Sequence, residues 1–193
     1  MPSVIDYPLV LEHMRSLGFK SLYHNSGAFG FSDPSHVRHV GWIGPADSTL
    51  RPAAIPFTRS VPAPYESALT TLLVNLWRQS LPGPLWLLPM SHWAYELDVN
   101  ESWLGPALQS AGIDPATLKP RNTGNAIEFS PDESASLSLL CQHLLENLST
   151  SDYTIAFPPK PLLCTLHHHK QLWWTTTDDT VYTAIDSILP KPN

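Results

Sequence analysis

"LCTLHHHKQLWWTTTDD", residues 163–179, decides how this chain folds, because its apolar residues fit one geometry far better than another. Read as one strand from Leu162 to Thr176, alternation places Leu162, Cys164, Leu166, Leu172 and Trp174 on a single apolar face. The same parity forces His168 and Lys170 onto that face, and burying an unpaired ammonium is expensive. Such a strand also exceeds the usual length of ~3–10 residues. Folding the stretch back around His168, His169 and Lys170 resolves the conflict. Leu166 then faces Leu172 and Cys164 faces Trp174 on one side, while His167 faces Gln171 and Thr165 faces Trp173 on the other. An even-numbered loop mixes the faces, so the register demands an odd one. A three-residue loop ordinarily places Gly at its left-handed position, which Lys170 is not; a five-residue loop that includes Gln171 keeps the register. The segment therefore predicts a hairpin, with His168 and His169 in solvent at the tip and His167 on the polar face beside Trp173.

The helices are marked by periodicity and punctuation. In "SPDESASLSLLCQHLLENL" (130–148), Ser130 and Glu133 form a capping box around Pro131. Leu137, Leu140, Cys141, Leu144, Leu145 and Leu148 then follow one helical stripe. "PYESALTTLLVNLWRQSL" gathers Tyr65, Leu69, Leu72, Leu73, Leu76 and Trp77 on one face and stops at "PGP". A third helix starts at Asp6 and ends before Gly18. A short one in "ESWLGPALQSAG" begins after Glu101 and stops at Gly112, and the last, "DTVYTAIDSIL", is capped by Asp178 or Asp179.

Strands fill the intervals. "SLYH" and "AFGF" flank "NSG", where Gly27 suits a turn needing positive φ. "VRHVGWIG", "LWLLPMSHWAYELD", "NAIEF" and "YTIAF" read as further strands; Pro89 interrupts the second, which is therefore an edge strand, a bulged one or two pieces. Strands and helices do not alternate as βαβ units would. The expected fold is α+β: one domain over 1–193, a mostly antiparallel sheet of about 5–7 strands, and 4–5 helices packed chiefly on one face. The connection at 44–64 carries five prolines in 21 residues and reads as an extended surface segment or a binding loop.

Composition narrows the function. Charged residues are 15% of 193, the formal net charge is −6, and the eleven basic residues are scattered. No Lys/Arg stripe is present to neutralise phosphates, so neither nucleic acid nor an anionic membrane is an expected partner. Cys141 and Cys164 belong to no CxxC pair, the start is not a basic segment followed by an apolar run, and no apolar stretch nears the ~20 residues that span a bilayer. A cytoplasmic protein with reduced thiols is expected.

The sequence carries no G-x-S-x-G elbow, no phosphate-binding glycine loop and no H-E-x-x-H or C-x-x-C metal spacing. Adjacent histidines on a strand point to opposite faces, so only His167 and His169 could converge, a bend at 168 would spoil that, and no metal or cofactor is expected. Seven tryptophans exceed what a core of this size commonly uses. Trp173, beside His167 and Gln171, has the character of an interface anchor or ligand platform. The leading expectation is a non-enzymatic binding module for a protein or small molecule, a homodimer being possible, with His167, Gln171, Trp173, His92 and Glu96 as candidate contacts. The alternative is a hydrolase, metal-dependent or not, near the histidine tip, His92 or Glu96. On that reading Glu96 and Asp98 share one face of a strand as a carboxylate pair.

Overall fold

The computed structural model describes residues 1–43, 61, 63–81, 83–118 and 123–188. Most of the 44–64 connection lies outside them. The first half of the chain forms β1 (Ser3–Ile5), α1 (Tyr7–Ser16), β2 (Phe19–Ser21), β3 (Phe29–Phe31), β4 (Arg38–Ile43), α2 (Tyr65–Ser80), β5 (Leu85–Pro89) and α3 (Trp93–Val99). The second forms α4 (Leu104–Ser110), β6 (Ala126–Phe129), α5 (Ser134–Asn147), β7 (Tyr153–Ala156), β8 (Leu162–His167), β9 (Gln171–Thr176) and α6 (Asp179–Ile188).

Seven strands make one sheet in the order β1-β6-β5-β7-β8-β9-β4, every neighbouring pair antiparallel. β2 and β3 form a separate hairpin sheet. The fold is α+β, as the sequence requires. The β8–β9 register also matches: Leu166 faces Leu172, Cys164 faces Trp174, and His167 faces Gln171. The loop is the three-residue one, and Lys170 adopts the left-handed conformation at φ 57°. The strain of a side chain there is about 1–2 kcal/mol. Its ammonium bonds the Glu66 carboxylate in the first turn of α2, which helps hold the turn.

Both faces of the sheet are covered, unequally. On one side α2 to α6 pack Leu69, Leu73, Trp77, Leu104, Leu140, Leu144 and Ile185 against Ile127, Ile155, Cys164, Leu172 and Trp174. On the other, α1 and the small hairpin bring Val10, Met14, Phe19 and Phe29 onto Trp86, Leu88, Ala156 and Leu163. The caps follow the sequence. Ser130 donates its backbone N–H and its hydroxyl to the Glu133 carboxylate, each at 2.8 Å. Asp178 accepts from Thr180 N–H at 2.8 Å and Val181 N–H at 3.1 Å. Gly18 and Gly112 end their helices at φ 86° and 82°.

Three expectations are corrected. "LWLLPMSHWAYELD" is not one interrupted strand. β5 ends at Pro89, a Pro without an N–H being tolerated at a strand end, and α3 begins at Trp93. β5 is also central, paired with β6 and β7, so it is no edge. The first hairpin uses 19–21 rather than 21–24, and its Gly27 is not the positive-φ residue; Asn25 is, at 54°. Gly27 is required for close approach instead: a Cβ there would stand 2.4 Å from the Pro89 carbonyl oxygen. Finally, β1 is a strand that no pattern announced.

Candidate functional site

β5 ends, β7 begins, β8 ends and β9 begins at the same end of the sheet. Their flanking residues therefore meet. Asp152, just before β7, accepts the Met90 N–H on its backbone carbonyl at 3.0 Å. Its carboxylate turns toward the β8–β9 turn. Oδ1 accepts from the backbone N–H of His168 at 2.9 Å and from its ring Nδ1 at 2.8 Å, which makes Nδ1 the protonated nitrogen. Oδ2 stands 3.6 Å from His167 Nε2.

The expectation that His168 and His169 point into solvent is overturned. Both are half-buried, and three imidazoles lie against one another: ring centroids are 4.2 Å apart for His167–His168, 4.0 Å for His168–His169 and 4.9 Å for His167–His169. Nor is convergence limited to His167 and His169, as strand geometry would require: the turn through Lys170 folds the two tip rings back over the last residue of β8. One ring nitrogen from each of the three lies within 4.8 Å of the others. His167 Nδ1 accepts the His169 backbone N–H at 3.2 Å, and His169 Nδ1 is buried with no partner among the described residues.

His167 also carries the adjoining polar face. Its ring stacks on Trp173 at 4.1 Å and 24°, and the Trp173 indole N–H donates to Gln171 Oε1 at 2.8 Å. Gln171 is fully buried and Trp173 half-buried. The His167 pKa is lowered to about 4: burial is the main cause, the Asp152 carboxylate opposes it, and the nearby His168 and His169 reinforce it. At neutral pH His167 is an uncharged imidazole.

The other two candidates stand apart from this cluster. His92 caps α3 on the far side of the β5–α3 turn, its Nε2 3.1 Å from the His24 carbonyl oxygen. Glu96 is 0% exposed on α3, behind Asp152. Its carboxylate accepts from Ser91 Oγ and, at 3.1 Å, from Asn100 Nδ2. Burial raises its pKa, and the hydrogen bond from Ser91 opposes the rise. Because α3 is helical, Glu96 and the exposed Asp98 do not share a face, and the carboxylate pair read from strand alternation does not exist. Ser91, Tyr95, Glu96, Ser151 and Asp152 instead line a surface depression of about 300 Å³.

Sequence reasoning missed Asp152, His168, His169 and Ser91 as members of one constellation. Asp152 lies 16 residues before His168, and only the β7–β8 pairing brings them together. Both cysteines are buried thiols, Cys141 pushed up to about 12 and Cys164 well above the usual range by burial. No described helix is long and apolar enough to cross a membrane. No protein-family model, curated protein or solved structure matches this chain.

Proposed function

We propose that this chain is a cytoplasmic binding module that contacts a protein or small-molecule partner through His167, Gln171 and Trp173. The observation that carries the reading is the His167–Trp173 stack, 4.1 Å between centroids, with the indole N–H tied to Gln171. An aromatic surface fixed by a neighbouring ring and a hydrogen bond loses little conformational freedom when a flat group settles on it. Trp and Tyr are favoured at such contacts for the same reason. Three groups capable of covalent or acid–base chemistry are withdrawn: Cys141, Cys164 and Glu96 are each 0% exposed. Two unpaired thiols close to each other in the core support a reducing compartment.

The test is a nitrogen-detected NMR fragment screen in excess chelator, with the Trp173 indole and Gln171 amide signals assigned through Trp173→Phe and Gln171→Ala. Hits should shift those two signals and weaken in either variant. Hits confined to other surfaces would refute the reading.

A second reading, hydrolysis, is favoured by one arrangement: Ser91, Glu96 and Asp152 line the same depression, and the Asp152 carboxylate also bonds His168. It requires turnover of an ester or phosphoester that Ser91→Ala and Asp152→Asn both abolish while the fold is retained.

A further inference from the structure

We infer that the β8–β9 turn is a site for a zinc-class divalent ion, ligated by His167, His168 and His169, with Asp152 as the carboxylate behind them. The inference rests on reading this turn as a binding site, though not on any organic partner.

A four-coordinate zinc ion has Zn–N distances of about 2.0–2.1 Å, so two of its ligand nitrogens stand about 3.4 Å apart. The three histidines already hold one nitrogen each within 4.8 Å of the others, and the ion would draw them together by rotating the rings about their side-chain bonds. They are consecutive, His167 ending β8 and His168 and His169 opening the three-residue turn, so no long loop has to be ordered to gather them.

The donor atoms follow from the hydrogen bonds. His168 gives Nδ1–H to Asp152 Oδ1 at 2.8 Å, which leaves Nε2 with a free lone pair. A ligating histidine almost always donates its second ring N–H to a carboxylate or carbonyl, which fixes the tautomer and raises its basicity. His169 Nδ1 is buried and meets no partner among the described residues, a cost that an ion would remove. For His167 one contact must yield. The backbone N–H of His169 reaches Nδ1 over a long 3.2 Å, while Nε2 faces Asp152 Oδ2 at 3.6 Å. Releasing the first frees Nδ1 for the ion and leaves Nε2–H directed at the same carboxylate. Asp152 then orients two of the three ligands, and the fourth position is left to water or a partner group. Imidazole donors without thiolate select zinc, copper or nickel over calcium and magnesium.

The experiment is calorimetric titration of tag-free protein with zinc, alongside His168→Ala, His169→Ala, His169→Gln and Asp152→Asn. Circular dichroism establishes that each variant is folded, and the conservative His169→Gln and Asp152→Asn stand in if an alanine variant is not. One equivalent of zinc should bind the wild type, and each folded variant should bind at least about 10-fold more weakly, as lost ligands or their carboxylate supports do. Copper should quench tryptophan emission, and Trp173→Phe should remove most of the quench while the stoichiometry is kept, because Trp173 stacks on His167.

No stoichiometric zinc binding overturns the inference. So does binding that survives in the His168 and His169 variants, which would place the ion on other histidines, or quenching that persists without Trp173. Fragment hits at Trp173 in chelator, without zinc binding, would mean that this inference fails alone. Zinc held by the three histidines, with fragments bound elsewhere, would mean that only the organic-partner reading fails.

Discussion

Trp174 offers the sharpest test of the hairpin register. Its side chain is 1% exposed, lies between Cys164 of β8 and Val40 of β4, and stacks on Phe157 at 5.7 Å. A buried aromatic side chain removes ~150–250 Å² from water. At about 25 cal/mol per Å² the upper figure is worth about 6 kcal/mol. The structure also supplies an opposing cost, because the Trp174 indole N–H is buried and meets no acceptor among the described residues. An unmade hydrogen bond of that kind costs about 1–3 kcal/mol. Trp174→Ala should therefore destabilise by about 3–5 kcal/mol, in the range of other core aromatic truncations.

Trp174→Phe separates the two terms. It keeps the ring on the Phe157 stack, loses part of the buried area and abolishes the unsatisfied donor, so it should lie within about 1 kcal/mol of wild type. The assay is urea unfolding followed by far-ultraviolet circular dichroism at neutral pH. A Phe variant as damaged as the Ala variant would refute the unsatisfied donor. An Ala variant costing under about 1 kcal/mol would refute the buried face itself, and with it the three-residue loop.

The helix over 134–147 should carry much of the same core: Leu144→Ala should cost about 2–5 kcal/mol. Ser130→Ala should cost only about 1 kcal/mol; equal small effects in chemical denaturation would make α5 peripheral. Cys141 and Cys164 should react with an aromatic disulfide reagent only as fast as the protein unfolds, since the reactive thiolate is suppressed by burial; rapid native-state labelling would contradict this. Glu96 has its pKa raised in the folded state, so its native form holds a proton that the unfolded chain releases. Its contribution is present at pH below the unfolded carboxylate range and is lost as pH rises through the folded value. The stability of Glu96→Gln relative to wild type should accordingly increase from about pH 4 to pH 7 in paired unfolding curves; a pH-independent difference would rule out the raised pKa.

The hairpin was legible because strand parity leaves few registers that keep a face apolar, and Leu166, Leu172, Cys164 and Trp174 satisfy only odd loops. α2 and α5 were legible because a stripe of leucines repeats at helical spacing between recognisable caps. Lys170 was the misleading residue. Turn chemistry favours glycine at its position, and the side-chain bond to Glu66 that accompanies its left-handed backbone belongs to a helix 104 residues away. The β2–β3 turn misled in the opposite direction, since Gly27 is demanded by the approach of Pro89 and not by its own dihedral angle.

The failure at 92–100 has a different cause, and it bears on function. The buried residues of α3 and its C-cap are Trp93, Glu96, Leu97 and Asn100, which is the i, i+3, i+4, i+7 stripe of a helix. Two of the four are polar, so apolar periodicity could not reveal the element. Glu96 and Asn100 stabilise their own burial by bonding each other at 3.1 Å, with Ser91 completing the set. The other failure, at His168 and His169, likewise concerns polar side chains drawn inward, His168 by Asp152 and His169 against the other two imidazoles. Both lie at the same end of the sheet, and the Met90–Asp152 backbone bond links the two segments. Sequence rules rest on apolar residues being inside, so they break where polar groups are buried in mutual contact. Such places are where a fold departs from its simplest pattern to hold particular side chains in position. That two independent misreadings converge on Asp152 is the strongest reason to look for this protein's chemistry there before anywhere else.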